Sequence, residues 1–240
     1  MKEIGSLYVV ATPIGNLEDL TLRALRVLKE CQLVLCEDTR VGRQLLAHYG
    51  LDTPTRSFHQ HSGEGKAREV IREVEAGKDV ALITDAGTPG ISDPGGQLVA
   101  LVRECLPEAK IIPIPGPSAL AAAVSVAGWP LDKFLFLGFL PHKKGRQTMV
   151  KKALLSEYPV VLYESKYRVI KLLDEISLHA EGQEIEIFLA REISKMFETF
   201  YQGSPEEVRQ AISSDPNAQK GEFVLILCAK KRGRTEEEQE

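Results

Sequence analysis

The sequence has little of what marks membrane-spanning or secreted proteins. Its most apolar stretches, residues 120–129 and 134–140, are too short or too interrupted to cross a bilayer. The residues from Met1 to Gly5 include an acid and start no long apolar run, so we expect no secretory signal. The cysteines form no C-x-x-C pair and lie in or beside apolar segments, which predicts buried, reduced thiols at Cys31, Cys36, Cys105 and Cys228. We therefore expect a cytoplasmic protein with no membrane partner.

Several common ligand-binding motifs are also absent. No G-x-x-x-x-G-K-[ST] phosphate loop occurs, because Gly65-Lys66 is followed by Ala67 and lacks the upstream glycine. No G-x-G-x-x-G follows the first apolar run, and there is no G-x-S-x-G elbow of a hydrolase. His59 and His61 have no evident third partner, so we expect no metal site.

Charge is unevenly distributed along the chain. The formal net charge of −4 argues mildly against a polyanionic partner. Residues 142–152, however, contain five cations and no acid, namely Lys143, Lys144, Arg146, Lys151 and Lys152. Lys166, Arg168 and Lys171 follow closely. Residues 142–171, which we call the basic middle, are therefore basic although the whole chain has a negative net charge.

Apolar runs divide the chain into two halves. In the first 118 residues, short apolar runs alternate with segments of helical spacing, which predicts a mostly parallel, doubly wound sheet. Asp19 is a candidate cap for the first helix, and the second helix is predicted to start near Gly42. The second half has less regular connections, which favours a mixed sheet with helices. We predict α/β domains at 1–116 and 117–232, and a disordered tail at 233–240.

Four unusual loops are predicted to lie at one edge of the first sheet. They span residues 12–16, 37–40, 85–96 and 115–118, and each follows a predicted strand or lies next to one. Ligands bind beyond the carboxyl ends of parallel strands, and glycine and proline let the backbone approach a ligand closely. The loops therefore predict a rigid, backbone-rich pocket, although tight turns alone would also explain each loop separately.

The loops contain four distinctive segments, ATPIGNL at 11–17, EDTR at 37–40, DAGTPGISDPG at 85–95 and PGPSA at 115–119. These segments resemble those of the ribosomal RNA small subunit methyltransferase I family, within the tetrapyrrole methylase superfamily. Shorter matches are YES at 163–165 with Arg168, ARE at 190–192 and GEFV at 221–224, so the likeness extends from about residue 7 to 230. It implies a two-domain α/β fold that holds S-adenosylmethionine in the cleft between the domains. It also implies a homodimer that methylates the ribose 2′-hydroxyl of a cytidine in the decoding region of 16S rRNA.

The resemblance also implies a set of cofactor contacts, many of them through the backbone. The superfamily usually has an acid where Thr88 stands and glycines where Ala11 and Pro13 stand, which puts a carboxylate contact at residue 88 in doubt, although Asp85 lies close by. The implied contacts are Pro13, Ile14, Asp85, Gly87, Thr88, Ile91, Ser92, Ser118, Ala119, Tyr163, Ala190 and Glu222.

Methylation of a ribose hydroxyl calls for a proton acceptor or a polarising cation, because the hydroxyl is a weak acid. Candidate bases are His61, Asp38 and Glu37, and candidate cations are Lys166 and Arg191. Asp38 and Glu37 are also candidates for holding Arg40 and their own loop.

The basic middle gives the expected RNA contacts, with a solvated helix face as the alternative for residues 143–152. The expected contacts are Arg40, Lys143, Lys144, Arg146, Lys166 and Arg168. The predicted partner is 16S rRNA or the small ribosomal subunit, and not DNA. Two other functions remain open, a tetrapyrrole-type small-molecule methylase and a non-catalytic RNA-binding protein.

Overall fold

The computed structural model describes residues 3–59, 62–93, 95–180 and 182–229. The chain forms two compact units, Met1–Ser118 and Ala119–Glu240. The predicted boundary at residue 116 lies in the loop that ends the first unit. The predicted tail at 233–240 lies outside the described residues.

The described part of the first unit is built on a parallel sheet. Its strands are β1 (Ser6–Val10), β2 (Leu33–Cys36), β3 (Thr55–Ser57), β4 (Val80–Leu82) and β5 (Lys110–Ile114). Its helices are α1 (Leu22–Glu30), α2 (Thr39–His48), α3 (Gly63–Glu75) and α4 (Gly95–Cys105), and a 3-10 turn spans Leu17–Asp19. The strand order is β3-β2-β4-β1-β5, and the paired strands run parallel. The predicted sheet class is therefore confirmed.

Helices cover both faces of this sheet because its strands are apolar on both sides. In β2, Leu33 and Leu35 pack with α3 and α4, whereas Val34 and Cys36 pack with α1 and α2. This alternation follows from the two-residue repeat of a strand. The first sheet is thus doubly wound, as predicted.

Two helix starts differ from the prediction. The hydroxyl of Thr21, and not the carboxylate of Asp19, caps α1 by accepting the N–H of Ala24 at 3.1 Å. Helix α2 starts at Thr39 rather than near Gly42, because the Asp38 carboxylate caps it. In both cases the cap lies next to the first helical residue, where a side-chain oxygen can reach an unpaired backbone N–H.

The second unit contains a mixed sheet. Its strands are β6 (Leu135–Phe139), β7 (Val160–Ser165), β8 (Ile185–Arg191), β9 (Thr199–Gly203) and β10 (Glu222–Ala229). Its helices are α5 (Ala119–Val126), α6 (Arg146–Leu154), α7 (Val169–His179) and α8 (Pro205–Ser213). The order is β6-β7-β10-β8-β9, in which β6 and β7 are parallel and the other pairs antiparallel. The predicted mixed sheet is confirmed.

Two layers of helices enclose the second sheet, and one strand of this sheet was not predicted. Helices α6, α7 and α8 pack on one face, and α5 packs on the other. The unpredicted strand is β9, which lies at the edge of the sheet. Its residues alternate between half-buried and exposed positions, and few of them are apolar. Its sequence therefore has no apolar run to mark it.

The prediction of buried thiols is wrong for Cys105, and Cys228 is only half-buried. Cys31 and Cys36 are buried free thiols, and burial raises the pKa of each to about 11. Cys105 is exposed, because it ends the amphipathic helix α4 on the side that faces solvent. In the part of the chain that the structure describes, no helix is both long and apolar enough to cross a membrane.

Candidate active site

The topology of the first sheet makes the edge beside β1 and β4 the candidate site for a ligand. These neighbouring strands lead into helices on opposite faces, since α1 packs in the cluster with Val10 and α4 packs in the cluster with Leu7. Where adjacent parallel strands diverge in this way, the loops at their carboxyl ends enclose a crevice. The loops concerned are residues 11–16 after β1 and residues 83–93 after β4.

Thr12 and Gly87 join these two loops through their backbones. Each N–H donates to the carbonyl oxygen of the other residue, at 2.9 and 3.0 Å. The buried Thr12 hydroxyl also donates to the Thr84 carbonyl at 3.1 Å. Gly87 has a φ of +86°, and a Cβ there would lie 3.4 Å from Ile14 Cγ2 and 3.8 Å from the Pro117 carbonyl oxygen. Gly87 therefore keeps open a space bordered by the loops after β1 and β5.

The loop after β5 is held against the same surface. The Thr88 hydroxyl donates to the Pro117 carbonyl at 3.1 Å. A Cβ on Gly116 would approach the Ala11 Cβ to 3.0 Å, so the two backbones lie very close. Thr88, which stands where the resemblance expects an acid, thus connects two loops.

The long loop after β4 is held closed by Asp93. Its carboxylate accepts the N–H groups of Gly90 at 2.8 Å and Gly95 at 2.7 Å. Gly90 and Ser92 have positive φ angles of +90° and +63°, and at Ser92 this left-handed backbone is strained. The conformation of Ile91 and Ser92, two expected cofactor contacts, is therefore fixed by the loop itself.

Acidic side chains gather at the same edge of the sheet. The Asp85 carboxylate accepts the Asp38 N–H at 3.2 Å. The Arg40 guanidinium bonds to the Asp38 carboxylate at 2.6 Å and lowers its pKa to about 2. Glu37 is exposed, but partial desolvation raises its pKa, and the carboxylates of Asp85 and Asp93 raise it further. Of these two candidate bases, Glu37 is thus the stronger proton acceptor. The third, His61, lies outside the described residues.

In the second unit, Tyr163 and Ala190 flank the central strand β10 at Val224. Both pack on the sheet face that α5 covers. The Tyr163 hydroxyl accepts the N–H of Leu120, next to the expected contact Ala119 at the start of α5. These three expected cofactor contacts are therefore close to one another within this unit.

Arg191 has a structural role instead of the predicted polarising one. It is buried, and its guanidinium donates to the carbonyls of Lys220, Phe197 and Asn217 at 2.7, 3.0 and 2.8 Å. Its hydrogen-bonding nitrogens are thus occupied by loop backbone. Glu222 is exposed, and its carboxylate pairs with Lys195 at 2.8 Å.

The basic middle separates into buried and exposed cations. Arg146 is 3% exposed and pairs with Glu164 at 3.1 Å and Glu175 at 2.7 Å. Arg168 pairs with the other oxygen of Glu164 at 2.8 Å and donates to the Leu140 carbonyl at 3.0 Å. These arginines are occupied by carboxylates, so their charges are not presented to a polyanion. We therefore correct the expectation of RNA contacts at Arg146 and Arg168.

The remaining predicted RNA contacts are exposed side chains. Lys143 and Lys144 lie in the loop before α6, and Lys166 lies in the turn between β7 and α7. The Arg40 side chain is 88% exposed, although it is engaged with Asp38.

Thr12, Asp93 and Glu164 organise these sites but were not predicted to do so. Thr12 and Asp93 lie inside loops that were recognised as unusual. A threonine in a turn, or a carboxylate two residues before a glycine, could have indicated a hydrogen bond from the side chain to the loop backbone. Glu164 lies within the matched YES segment. Its partner Arg146 comes 18 residues earlier in the sequence, and its partner Arg168 comes four residues later.

The chain is similar to known proteins in both sequence and fold. Residues 6–209 match the family model of the Tetrapyrrole (Corrin/Porphyrin) Methylases. The ribosomal RNA small subunit methyltransferase I of Pasteurella multocida is 42% identical over 97% of this chain and 82% of its own length. That of Pseudomonas aeruginosa is 42% identical over 93% of this chain and 79% of its own length.

A solved structure has the same fold at lower identity. It is the uroporphyrin-III C-methyl transferase of Thermus thermophilus complexed with S-adenosyl homocysteine, with a TM-score of 0.62 and 20% identity. The match covers 92% of this chain and 97% of that one.

We predict that Arg146→Ala destabilises the protein strongly, because it removes the buried cation that pairs with Glu175 and one of the two arginines that pair with Glu164. The expected loss is about 3–5 kcal/mol in the free energy of unfolding, measured by urea denaturation. The control is Lys144→Ala, an exposed cation of the same segment, for which we expect a change within about 0.5 kcal/mol. Equal stabilities of the two variants would contradict the buried ion cluster.

Proposed function

Because the chain belongs to the ribosomal RNA small subunit methyltransferase I family of tetrapyrrole methylases, we propose that it methylates small-subunit rRNA with S-adenosylmethionine as the donor. The observation that carries this proposal is the 42% identity with the Pasteurella multocida enzyme over 97% of the chain. The proposed acceptor is the ribose 2′-hydroxyl of a cytidine in the decoding region of 16S rRNA. The tetrapyrrole enzymes, at 20% identity, support the fold and not their own substrate.

The first-unit edge fits an adenosyl ligand that carries positive charge. The space beside Gly87 would be filled by a Cβ, so the glycine preserves room for a ligand next to the backbone. The acids Glu37, Asp85 and Asp93 lie close enough to one another to raise the pKa of Glu37. A sulfonium and an ammonium group are both cationic and are favoured by such a negative potential.

We propose that this ligand is held mainly by backbone groups of the first unit. The candidates are Pro13, Ile14, Gly87, Thr88, Ile91, Ser92 and Ser118, with Asp85 as the nearby carboxylate. In the second unit, Ala119, Tyr163, Ala190 and Glu222 remain proposed contacts. Backbone N–H and C=O groups can read both the adenine and the amino-acid end, which suits loops fixed by Thr12 and Asp93.

S-adenosylmethionine supplies a methyl group that is already activated for displacement. The protein must orient the ribose oxygen in line with this carbon, exclude water and accept one proton. We propose that the Glu37 carboxylate accepts the proton, while the O–C bond forms and the S–C bond breaks. Asp38 is the weaker base, because Arg40 keeps its pKa near 2.

The proposed RNA contacts are Lys143, Lys144, Lys166 and Arg40. An exposed lysine can neutralise a phosphate, which releases counterions and makes affinity dependent on salt. We further propose that the enzyme acts in the cytoplasm as a homodimer. Exposed apolar side chains on the edge strand β6 and next to it, Phe134, Leu135 and Phe139, support such a self-association surface.

We expect Gly87→Leu to weaken the binding of S-adenosylmethionine at least tenfold, because a side chain at this φ is strained and occupies the open space. Isothermal titration calorimetry measures the affinity, and circular dichroism checks the fold. The control is Gly65→Leu in α3, where a Cβ would meet no atom within 4 Å. Unchanged affinity in a folded Gly87→Leu variant would show that the ligand binds elsewhere.

We expect the rate of methyl transfer to rise with pH through the raised pKa of Glu37, because only its carboxylate form accepts a proton. Glu37→Gln should lower the rate by about 10²–10⁴-fold and remove the acid limb of the pH profile. The rates are compared at saturating S-adenosylmethionine, and circular dichroism checks that the variant is folded. An acid limb that persists in Glu37→Gln would assign the base to another residue.

We expect the enzyme and S-adenosylmethionine to create one alkali-resistant step in 16S rRNA, at a cytidine. A 2′-O-methyl group prevents that oxygen from attacking the adjacent phosphate, so alkaline hydrolysis leaves the linkage intact. A short oligonucleotide of the same sequence should be a poor acceptor, because we expect recognition of folded RNA. A methyl group found on a base, or on a tetrapyrrole with the RNA untouched, would overturn the proposed acceptor.

A further inference from the structure

Tyr167 is the most exposed of the six tyrosines in the chain, at 83%. It lies in the turn between β7 and α7, directly after Lys166 and before Arg168. The Lys166 ammonium lies over its ring, 5.0 Å from the ring centroid. An aromatic ring this exposed buries little apolar surface, so the packing of the second unit gives no reason for a ring at this position.

The turn that carries Tyr167 adjoins the basic loop before α6. Strands β6 and β7 are parallel neighbours, so the loops that follow them leave the same edge of the sheet. The first loop presents the exposed side chains His142, Lys143 and Lys144, and the second presents Lys166 and Tyr167. The two loops are joined directly, because Arg168 in the second donates to the carbonyl of Leu140 at the start of the first.

Buried charges hold both loops in place. Glu164, whose side chain is fully buried, binds Arg146 at the start of α6 and Arg168 at the start of α7. Glu164 also accepts the N–H of Ser165 at 2.8 Å, just before Lys166. The backbone that presents Tyr167 is therefore fixed by an ion cluster, whereas the ring itself is in solvent.

Neither loop contains an acidic residue in 141–145 or 165–168, so the exposed charges that these two loops carry are all positive. On the neighbouring strand β10, the exposed Glu222 lies opposite Ser165 and is paired with Lys195. A ring among exposed cations suits an unpaired nucleic-acid base, which stacks on the ring while its phosphates meet the cations. An apolar protein surface would fit less well, since it would bury three lysines without counter-charges. The Lys166 ammonium polarises the ring from one face and leaves the other face for a base.

We propose that Tyr167 stacks on an unpaired base of the RNA substrate, and that Lys143, Lys144 and Lys166 neutralise the neighbouring phosphates. This inference rests on the proposed function, and it adds a binding residue outside the methyl-transfer machinery. Two contributions to RNA affinity then come from one surface. Stacking on Tyr167 does not depend on salt, whereas the contacts between lysines and phosphates weaken as the salt concentration rises.

Filter binding of a 16S rRNA transcript at several salt concentrations tests the proposal. Tyr167→Ala should weaken binding by about 5- to 150-fold with an unchanged salt slope, whereas Tyr167→Phe and Tyr167→Trp should stay within about twofold. Lys143→Ala with Lys144→Ala should instead lower the salt slope by about 0.7–0.9 per lost phosphate contact. The matched control is Tyr158→Ala, which removes a tyrosine that is 45% exposed before β7, at the opposite edge of the same sheet. S-adenosylmethionine affinity and the urea midpoint should be unchanged in all variants.

Three results would overturn the stacking role while the proposed function stands. They are wild-type affinity in Tyr167→Ala, an equal loss in Tyr167→Phe, and a loss confined to intact small subunits, which would indicate a ribosomal protein contact. If the wild-type enzyme neither binds nor methylates 16S rRNA, the proposed function fails and this inference fails with it. Methylation of 16S rRNA by the wild type therefore distinguishes the two failures.

Discussion

The backbone pairing of Thr12 with Gly87 is the interaction on which the candidate site of the first unit depends. Parallel strands bring loops to one edge of a sheet, but they do not join them. Here two N–H to carbonyl bonds join the loops after β1 and β4, and Thr88 extends the connection to Pro117 after β5. Glycine-rich loops without these bonds would have to be ordered by the ligand, which costs affinity.

The second unit uses charge in two different ways. Arg146, Arg168 and Arg191 lie among carboxylates or backbone carbonyls and hold the termini of helices and strands in place. Lys143, Lys144 and Lys166 are exposed and available to a polyanion. In this unit, the arginines that the sequence suggested as ligand contacts are structural, because the guanidinium's several donors satisfy buried acceptors that an ammonium would leave unpaired.

The sequence predicts the architecture better than the site. Apolar runs fix both sheet classes, because buried strands such as β2 and β10 must be apolar, whereas the half-exposed edge strand β9 need not be. The loops after β1, β4 and β5 are recognisable from their glycines and prolines. The partners of Thr12, Asp93 and Arg146 are not, because hydrogen bonds and ion pairs between segments distant in sequence leave no local pattern. Only the fold reveals that Arg146 faces Glu164 and Glu175 rather than solvent.

The shared carboxylate Glu164 also bears on how this protein can change over generations. An exchange at any one of residues 146, 164, 168 and 175 removes at least one ion pair of this buried cluster, so the effects of changes at these four positions depend on one another. Lys143, Lys144 and Lys166 are tied to no such partner set and can vary one at a time. A lineage can therefore alter the charge of this edge stepwise while the framework that carries it stays constant.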